Sequence, residues 1–417
     1  MMTELLKKVK GKIRVMVHNF EGKVSLPYGK FILELVSGVL ITGNCNITEI
    51  SRSLNEKIKL KNTMKRLFNH LEGKTNLLEL ANDYLLSQAS TKVDDSTIIA
   101  LDDGDISHLF ANNFEQSCKV RDGSTGKYLE GYYLNQISLF DDKSNQTYPA
   151  YLGMYSTESK DFKSANTEGL KSVESFVTNV GKKGLWVMDR GYDNGAYLGY
   201  FLKECLSFIV RMKTNRHLIY KGKSVNIEEL NKSINRRYKN GKHFRYGYLK
   251  CFIEIKSKLY PVTLISHKGE FNKESHIFLT NGHLSKSEEI KRRIRGYYRR
   301  WGVEESYRFE KQGFGIEKSI IRNFNSIRSM LGAVMLAWSV LVDINEDEIL
   351  REEVVLASKP EKKKRPQFIY YTLLRGVRNI FAGVKTLYLH RRRKKNKLKQ
   401  LTIEDFLFPK SSLCHIV

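Results

Sequence analysis

Cysteine is scarce and follows no plan: Cys45, Cys118, Cys205, Cys251 and Cys414 are odd in number and scattered over 417 positions. A disulfide framework is therefore not expected, and ordinary buried or free thiols in a reducing cytoplasm are. No Cys-x-x-Cys pair and no His-Glu-x-x-His run occurs, which removes the common zinc arrangements. Long hydrophobic runs are missing too. The longest candidate, residues 330–342, lies between Arg328 and Asp343 and falls short of the roughly 20 residues that a membrane crossing needs, so a core helix is expected there. The charged first eight residues lead into no apolar segment of the kind a secretory signal carries. No internal repeat is evident, and 417 residues at 41% apolar composition give length for two or three domains.

Acidic residues are few beside basic ones. Against 71 Lys and Arg stand 45 Asp and Glu, for a formal net charge of +26 and a pI near 9.6. A polyanion is the favoured partner, with nucleic acid first and a membrane surface as the rival. Neutralising about 6–10 phosphates would cost roughly 10³–10⁵ in affinity between 50 and 200 mM salt. Steep salt dependence of binding is expected.

Among the acids that are present, a few fall in a pattern. Tyr297, Arg300, Glu304 and Lys311 follow one another at intervals of three, four and seven. On an α-helix turning about 100° per residue they fall within an arc of about 60°, so one face carries an acid flanked by two cations and a phenol. A solvated amphipathic helix would show such a face as well. Two sites upstream narrow the choice. In Ser96-Thr-Ile-Ile-Ala-Leu-Asp-Asp-Gly-Asp105 an apolar, β-rich run ends abruptly in carboxylates, and in Gly184-Leu-Trp-Val-Met-Asp-Arg-Gly-Tyr-Asp193 apolar residues run straight into Asp189. Both read as buried strands delivering an acid to their tips, although either alone is also what a turn-former gives.

Three carboxylates converging on one cleft raise each other's pKa unless a cation sits among them. Oxygen-only ligation suits Mg²⁺, with Mn²⁺ tolerated, and two such ions about 3.5–4 Å apart serve attack on a phosphodiester. Phosphoryl transfer on nucleic acid is the chemistry these residues imply.

At this point the chain resembles a DDE transposase of a bacterial insertion sequence, in the cut-and-paste insertion-sequence-four branch marked by a Y-(2)-R-(3)-E-(6)-K signature. The resemblance runs from about residue 97 to 342. It implies Asp103, Asp189 and Glu304 as catalytic metal ligands, and Tyr297, Arg300 and Lys311 as contacts to phosphates near the cut strand. Trp301 resembles an aromatic that stacks on a flipped base, the alternative being a core position beside the helix. Relatives often read Asp-Asp-Thr at the first site, whereas this chain has Asp102-Asp103-Gly104-Asp105. Strand alternation by itself does not choose among these acids, so Asp102 and Asp105 stay open beside Asp103. Asp193 reads as a helix N-cap. The resemblance further implies binding of double-stranded DNA at terminal repeats and at a target, metal-dependent cleavage, strand transfer, and a homodimer in a synaptic complex. It implies a nucleoid-associated protein of the bacterial cytoplasm. The rival readings are a nuclease of RNase H-like fold without strand transfer, and a non-catalytic DNA-binding regulator.

The expected fold is α/β, an RNase H-like mixed sheet flanked by helices, with an inserted antiparallel β subdomain and an N-terminal helical domain. Residues 1–92 are expected to bind DNA through helices over 28–40, 46–54 and 61–70, with Asn46 or Thr48 as a cap. The last two helices resemble a helix-turn-helix, which offers Lys61, Lys65, Arg66 and Asn69 to bases and phosphates. Residues 93–346 form the catalytic region, with strands over 132–140 and 148–154 and helices over 165–180 and 196–205. The 114 residues between Asp189 and Glu304 exceed a minimal core, so an insertion is placed at about 206–285, with strands over 246–255, 259–266 and 276–279. There Lys242, His243, Arg245 and Lys250 are candidate DNA contacts. Residues 347–417 make a basic C-terminal segment, with a charged linker over 359–366, a helix over 369–390 and a cationic run over 391–399.

Overall fold

A computed structural model describes residues 2–108, 113–121, 126–141, 146–239, 245–269, 275–359 and 368–397. The chain opens with five helices, α1 (Met2–His18), α2 (Leu26–Thr42), α3 (Ile47–Leu54), α4 (Leu60–Leu71) and α5 (Leu77–Lys92). Their ends obey local chemistry. Pro27 starts α2, where its missing N–H costs nothing, and Gly43 closes it at φ 63°, sending its N–H back to the Val39 carbonyl. The Asn46 side chain caps α3 by accepting from the Thr48 and Glu49 amides.

There follow β1 (Ile98–His108), β2 (Cys118–Arg121), β3 (Tyr128–Asp141), β4 (Gln146–Tyr155), α6 (Ala165–Val180), β5 (Leu185–Met188), α7 (Gly195–Lys203) and β6 (Phe208–Arg211). Next come β7 (His217–Tyr220), β8 (Lys223–Asn226), α8 (Ile227–Ser233), β9 (Tyr238–Lys239), β10 (Arg245–Ile255), β11 (Lys258–Lys268) and β12 (His276–Asn281). The described chain then turns helical through α9 (Ser287–Arg299), α10 (Trp301–Arg308), α11 (Phe324–Glu346), α12 (Glu348–Ala357) and α13 (Tyr370–Lys397).

All twelve described strands belong to one mixed sheet, ordered β2-β3-β1-β5-β6-β12-β11-β10-β7-β8, with β4 on β3 and β9 on β10. β1 runs antiparallel to β3 but parallel to β5, and β5 runs parallel to β6. The expected β insertion is continuous with this sheet: β12 adds antiparallel to β6, pairing Phe278 with Arg211 and Thr280 with Ile209. An open edge of β6 would leave backbone donors and acceptors unpaired, and β12 covers it.

The sheet divides two cores. Ile98, Ala100, Leu185 and Val187 face one, built with α2, α5, α9 and α11, while Ile99, Leu101, Trp186 and Met188 face the other, built with α6 and α7. Helix α11 is the hub of the first. It is 23 residues long, against 13 expected from residues 330–342, and is apolar and long enough to cross a membrane; 89% of its apolar window is buried inside the protein, against α5, α2 and β4. Its length lets one apolar element hold the N-terminal helices to the sheet.

Candidate active site at the strand ends

Period-two alternation decides the first site. Even-numbered residues of β1 point to the α9–α11 side and odd-numbered ones to the α6–α7 side, as the two cores show. Asp102 therefore follows Ala100 toward α10, and Asp103 follows Leu101 toward α6. Since Leu101 pairs in parallel with Met188, the next residues, Asp102 and Asp189, are neighbours, Asp189 just past the end of β5 and Asp102 inside β1, which runs on to His108 instead of ending at the acids as expected; Asp189 continues the face of Leu185 and Val187.

The break between α9 and α10 supplies the third acid. Arg300 sits at this break, 8% exposed, with one guanidinium nitrogen donating to Asp102 Oδ2 at 2.9 Å and another to Glu304 Oε1 at 3.0 Å. One turn earlier, the Tyr297 hydroxyl donates to Asp189 Oδ1 at 3.2 Å. Tyr307 completes the frame by donating to the Asp102 backbone carbonyl at 2.8 Å. Its ring lies so close to β1 that a Cβ at position 104 would stand 2.7 Å away, so only glycine fits there.

The electrostatics match the geometry. Burial pushes the Asp102 carboxyl up to about 7; Arg300 opposes this, while Asp103, Asp189 and Glu304 add to it. Burial also raises the Tyr297 phenol, to about 12, with Asp189 contributing. Asp102 thus feels Asp103, Asp189 and Glu304, with Arg300 as the cation that offsets them.

Asp103 does not join Glu304 and Arg300. Its carboxylate accepts from Asn135 Nδ2 at 2.8 Å, Asn135 is its partner across β3, and Asn135 in turn receives Ser172 Oγ of α6. Part of Asp103 reaches solvent, yet the surrounding protein desolvates it enough to raise its pKa. The reason is one strand step: adjacent residues of an extended chain face opposite ways.

Lys311 also departs from the expected helical face. After α10 the backbone widens into a π-turn at Phe309–Gly313, and the Lys311 ammonium meets Asp105 at 3.0 Å and Glu317 at 2.9 Å. The break at Arg300 and the wider turn carry it off the 3.6-residue repeat that the spacing assumed. Trp301 is 63% exposed, so it is no core residue. Asp193 caps no helix. Asn194 caps α7, while buried Asp193 pairs with Arg216 Nε at 2.5 Å and accepts from the Lys213 amide at 2.8 Å.

In the N-terminal helices, Lys61, Lys65 and Asn69 are exposed on one face of α4. Arg66 is not available there, because its guanidinium is bound to Glu34 and to Glu56, the latter at 2.8 Å. Arg245 is exposed, and Lys250 donates to Ser285 Oγ at 2.6 Å. Lys242 and His243 lie outside the described residues, as do most of the charged linker and the end of the cationic run.

Sequence reasoning missed Asn135, Tyr307 and the buried Glu310, whose Oε1 accepts from Gln136 at 3.0 Å. No local signal marks Glu310, which stands between Phe309 and the polar pair Lys311 and Gln312. Among the described residues no three His, Cys, Asp or Glu side chains are grouped as a finished metal site. Arg300 stands between Asp102 and Glu304 and supplies their positive charge. The donor chemistry suits a hard divalent ion: three carboxylates, two on adjacent strands and one across Arg300, with Asp102 raised first by burial and further by its acidic neighbours.

Two carboxylates on adjacent strands of a mixed sheet and a third across Arg300 lie in a chain rich in cations. The chain belongs to the transposase DDE domain family, which it matches over residues 96–340. That span contains Asp102, Asp189, Arg300, Glu304 and Lys311. None of the curated proteins matches the chain. Among solved structures it is similar to one described as the "piggyBac transposase synaptic complex with hairpin DNA", at 11% identity and a TM-score of 0.46, covering 97% of this chain and 83% of that one.

Proposed function

We propose that this transposase cuts DNA at the terminal repeats of its own insertion element and joins the freed 3′-hydroxyl to target DNA, as an insertion-sequence-four enzyme with the Tyr-Arg-Glu-Lys signature. The observation that carries this reading is the grouping of Asp102 and Glu304, both bound by Arg300, with Asp189, whose charge Arg300 also feels. In it Asp102 takes the role that the resemblance gave to Asp103. The order β4-β3-β1-β5-β6, with β1 antiparallel to β3 and parallel to β5, supports an RNase H-like core.

Three of the four signature residues, Tyr297, Arg300 and Glu304, have a task in this scheme. Tyr297 fixes Asp189 through its hydroxyl, and Arg300 holds Asp102 and Glu304 apart while offering a cation to an incoming phosphate. Asp102, Asp189 and Glu304 would hold Mg²⁺, or Mn²⁺ in its place, which supplies Lewis-acid charge at the attacking and leaving oxygens. Exposed Trp301, on the rim directly after Arg300, offers a ring for a flipped base. Lys61, Lys65 and Asn69 form the face of α4 that reads the terminal repeat, and a homodimer holds the two ends together. The protein works on the nucleoid in the bacterial cytoplasm.

The test is a metal-dependent cleavage and strand-transfer assay on a plasmid carrying the DNA that flanks this gene, comparing native protein with Asp102→Asn. Cleavage with joined product, lost in the variant, supports the reading. Cleavage without joining makes the protein a nuclease, and binding without metal-dependent chemistry makes it a regulator.

A further inference from the structure

We propose that Arg190 and Arg211 form a second anion site beside Asp189, one that grips the phosphodiester adjoining the one that is cut. The proposal rests on the transposase reading above and adds two residues to its DNA-binding machinery.

The placement comes from the parallel strands. Met188 of β5 pairs with Val210 of β6, so Asp189 and Arg211 are the next residues on neighbouring strands, and Arg190 follows Asp189 directly. Strands lie about 4.8 Å apart, so the register of β1, β5 and β6 presents Asp102, Asp189 and Arg211 as a row. Catalytic carboxylates occupy the first two places and a guanidinium the third.

The charge environment singles these two arginines out. Nearby buried or half-buried arginines are paired: Arg216 with Asp193, Arg293 with Glu289, Arg300 with Asp102. Among the described residues neither Arg190 nor Arg211 has a hydrogen-bond or ion-pair partner, although Arg211 is half-buried. Apart from Asp189 and Arg190, the groups around it are phenols and imidazoles. Tyr298 hydrogen-bonds to His276 Nδ1 at 3.1 Å and to His267 Nδ1 at 3.0 Å. Burial, reinforced by the fields of Arg211 and Arg190, holds the His276 imidazole below its ordinary pKa, and burial brings His267 to about 4. The Tyr297 phenol feels both Asp189 and Arg211. A half-buried cation with no ion-pair partner of its own is stabilised by an anion brought from outside.

The chemistry of that anion follows from the donors. Two guanidinium groups present planar forks that match the oxygens of a phosphate, and each can bind two of them at once. A phosphodiester is also what the neighbouring carboxylates act upon. Held there, the strand is anchored on the far side of Asp189 from Arg300, which limits its freedom to slide out of register with the acids.

Binding of a duplex that carries the DNA flanking this gene, followed by fluorescence anisotropy over a salt series, tests the site. The expected result for Arg211→Ala is an affinity loss of about five- to tenfold and a log–log salt slope shallower by about 0.9, the loss of one phosphate contact. Arg190→Ala, at an exposed position that does not threaten folding, should lose a similar increment. Arg211→Lys, which keeps the charge without the fork, should recover the slope but not the full affinity. Native affinity and slope in both alanine variants, with unchanged melting temperature, would overturn the proposal. Metal-dependent cleavage by the native protein is measured in parallel. Cleavage with unaltered slopes in the variants removes this site and leaves the transposase reading intact, whereas altered slopes without cleavage remove that reading and leave the site.

Discussion

Arg300 holds Asp102 with a 2.9 Å hydrogen bond between two side chains that are 10% and 16% exposed. The pair joins the break between α9 and α10 to the middle of β1 across 198 residues of sequence. Since the same guanidinium also reaches Glu304, one side chain sets the separation of two acids.

Removing that side chain should cost stability before it costs chemistry. Arg300→Ala leaves Asp102 crowded by Asp103, Asp189 and Glu304 without its cation, and breaking a pair this enclosed typically costs about 3 kcal/mol. A lower melting temperature by differential scanning calorimetry, not repaired by Arg300→Lys, is expected, because a single ammonium does not reproduce the two-pronged contact.

Asp102→Asn and Asp103→Asn separate the two faces of β1. The first should reduce metal-dependent cleavage more than about 100-fold while leaving DNA binding intact. The second should keep cleavage within about tenfold and act through loosened packing against Asn135. Equal loss in both would show that the strand face does not select the ligand.

The charges of α4 should divide in the same way. Arg66→Ala leaves Glu34 and Glu56 unpaired and should lower stability by about 1–2 kcal/mol, with little effect on the salt slope of DNA binding. Lys61→Ala and Lys65→Ala should instead leave the melting temperature unchanged and make that slope shallower by about one each.

Trp301→Ala should weaken binding of a DNA end by about 1–3 kcal/mol, the contribution of stacking on one base. Because the ring is 63% exposed, its removal should not move the melting temperature. Anisotropy with an end containing an abasic position checks the mechanism: the native protein and the variant should then bind alike.

Glu310 gives the fold a dependence on pH. Burial raises its carboxyl from the ordinary 4.5 to about 8, so the folded protein holds a proton there that the unfolded chain has released. Its contribution to stability is full below about 4.5 and is lost as pH rises toward about 8. Glu310→Gln, which keeps the shape and the polar contact with Gln136, should flatten that decline, with a gain over the native protein that grows from about pH 5 to about pH 8 in urea melts.

What could be read along the chain was whatever depends on near neighbours. The apolar runs into Asp102 and Asp189, the helical segments, the Asn46 cap and the signature spacing all rest on local periodicity and local hydrogen bonding, which sequence carries directly. The basic excess likewise needs no fold to be seen. The choice between Asp102 and Asp103 was different. Residues 98–101 are apolar on both sides because the sheet is buried on both faces, so alternation offered no contrast until α10 packed on one side and α6 on the other. Tertiary structure alone also turned Arg66 inward to Glu34 and Glu56, carried Lys311 through a π-turn to Asp105, and set Arg211 beside Asp189. Each of these is decided by partners from 10 to more than 200 positions away, and short-range propensity carries no information about which distant charge will be brought within hydrogen-bonding reach.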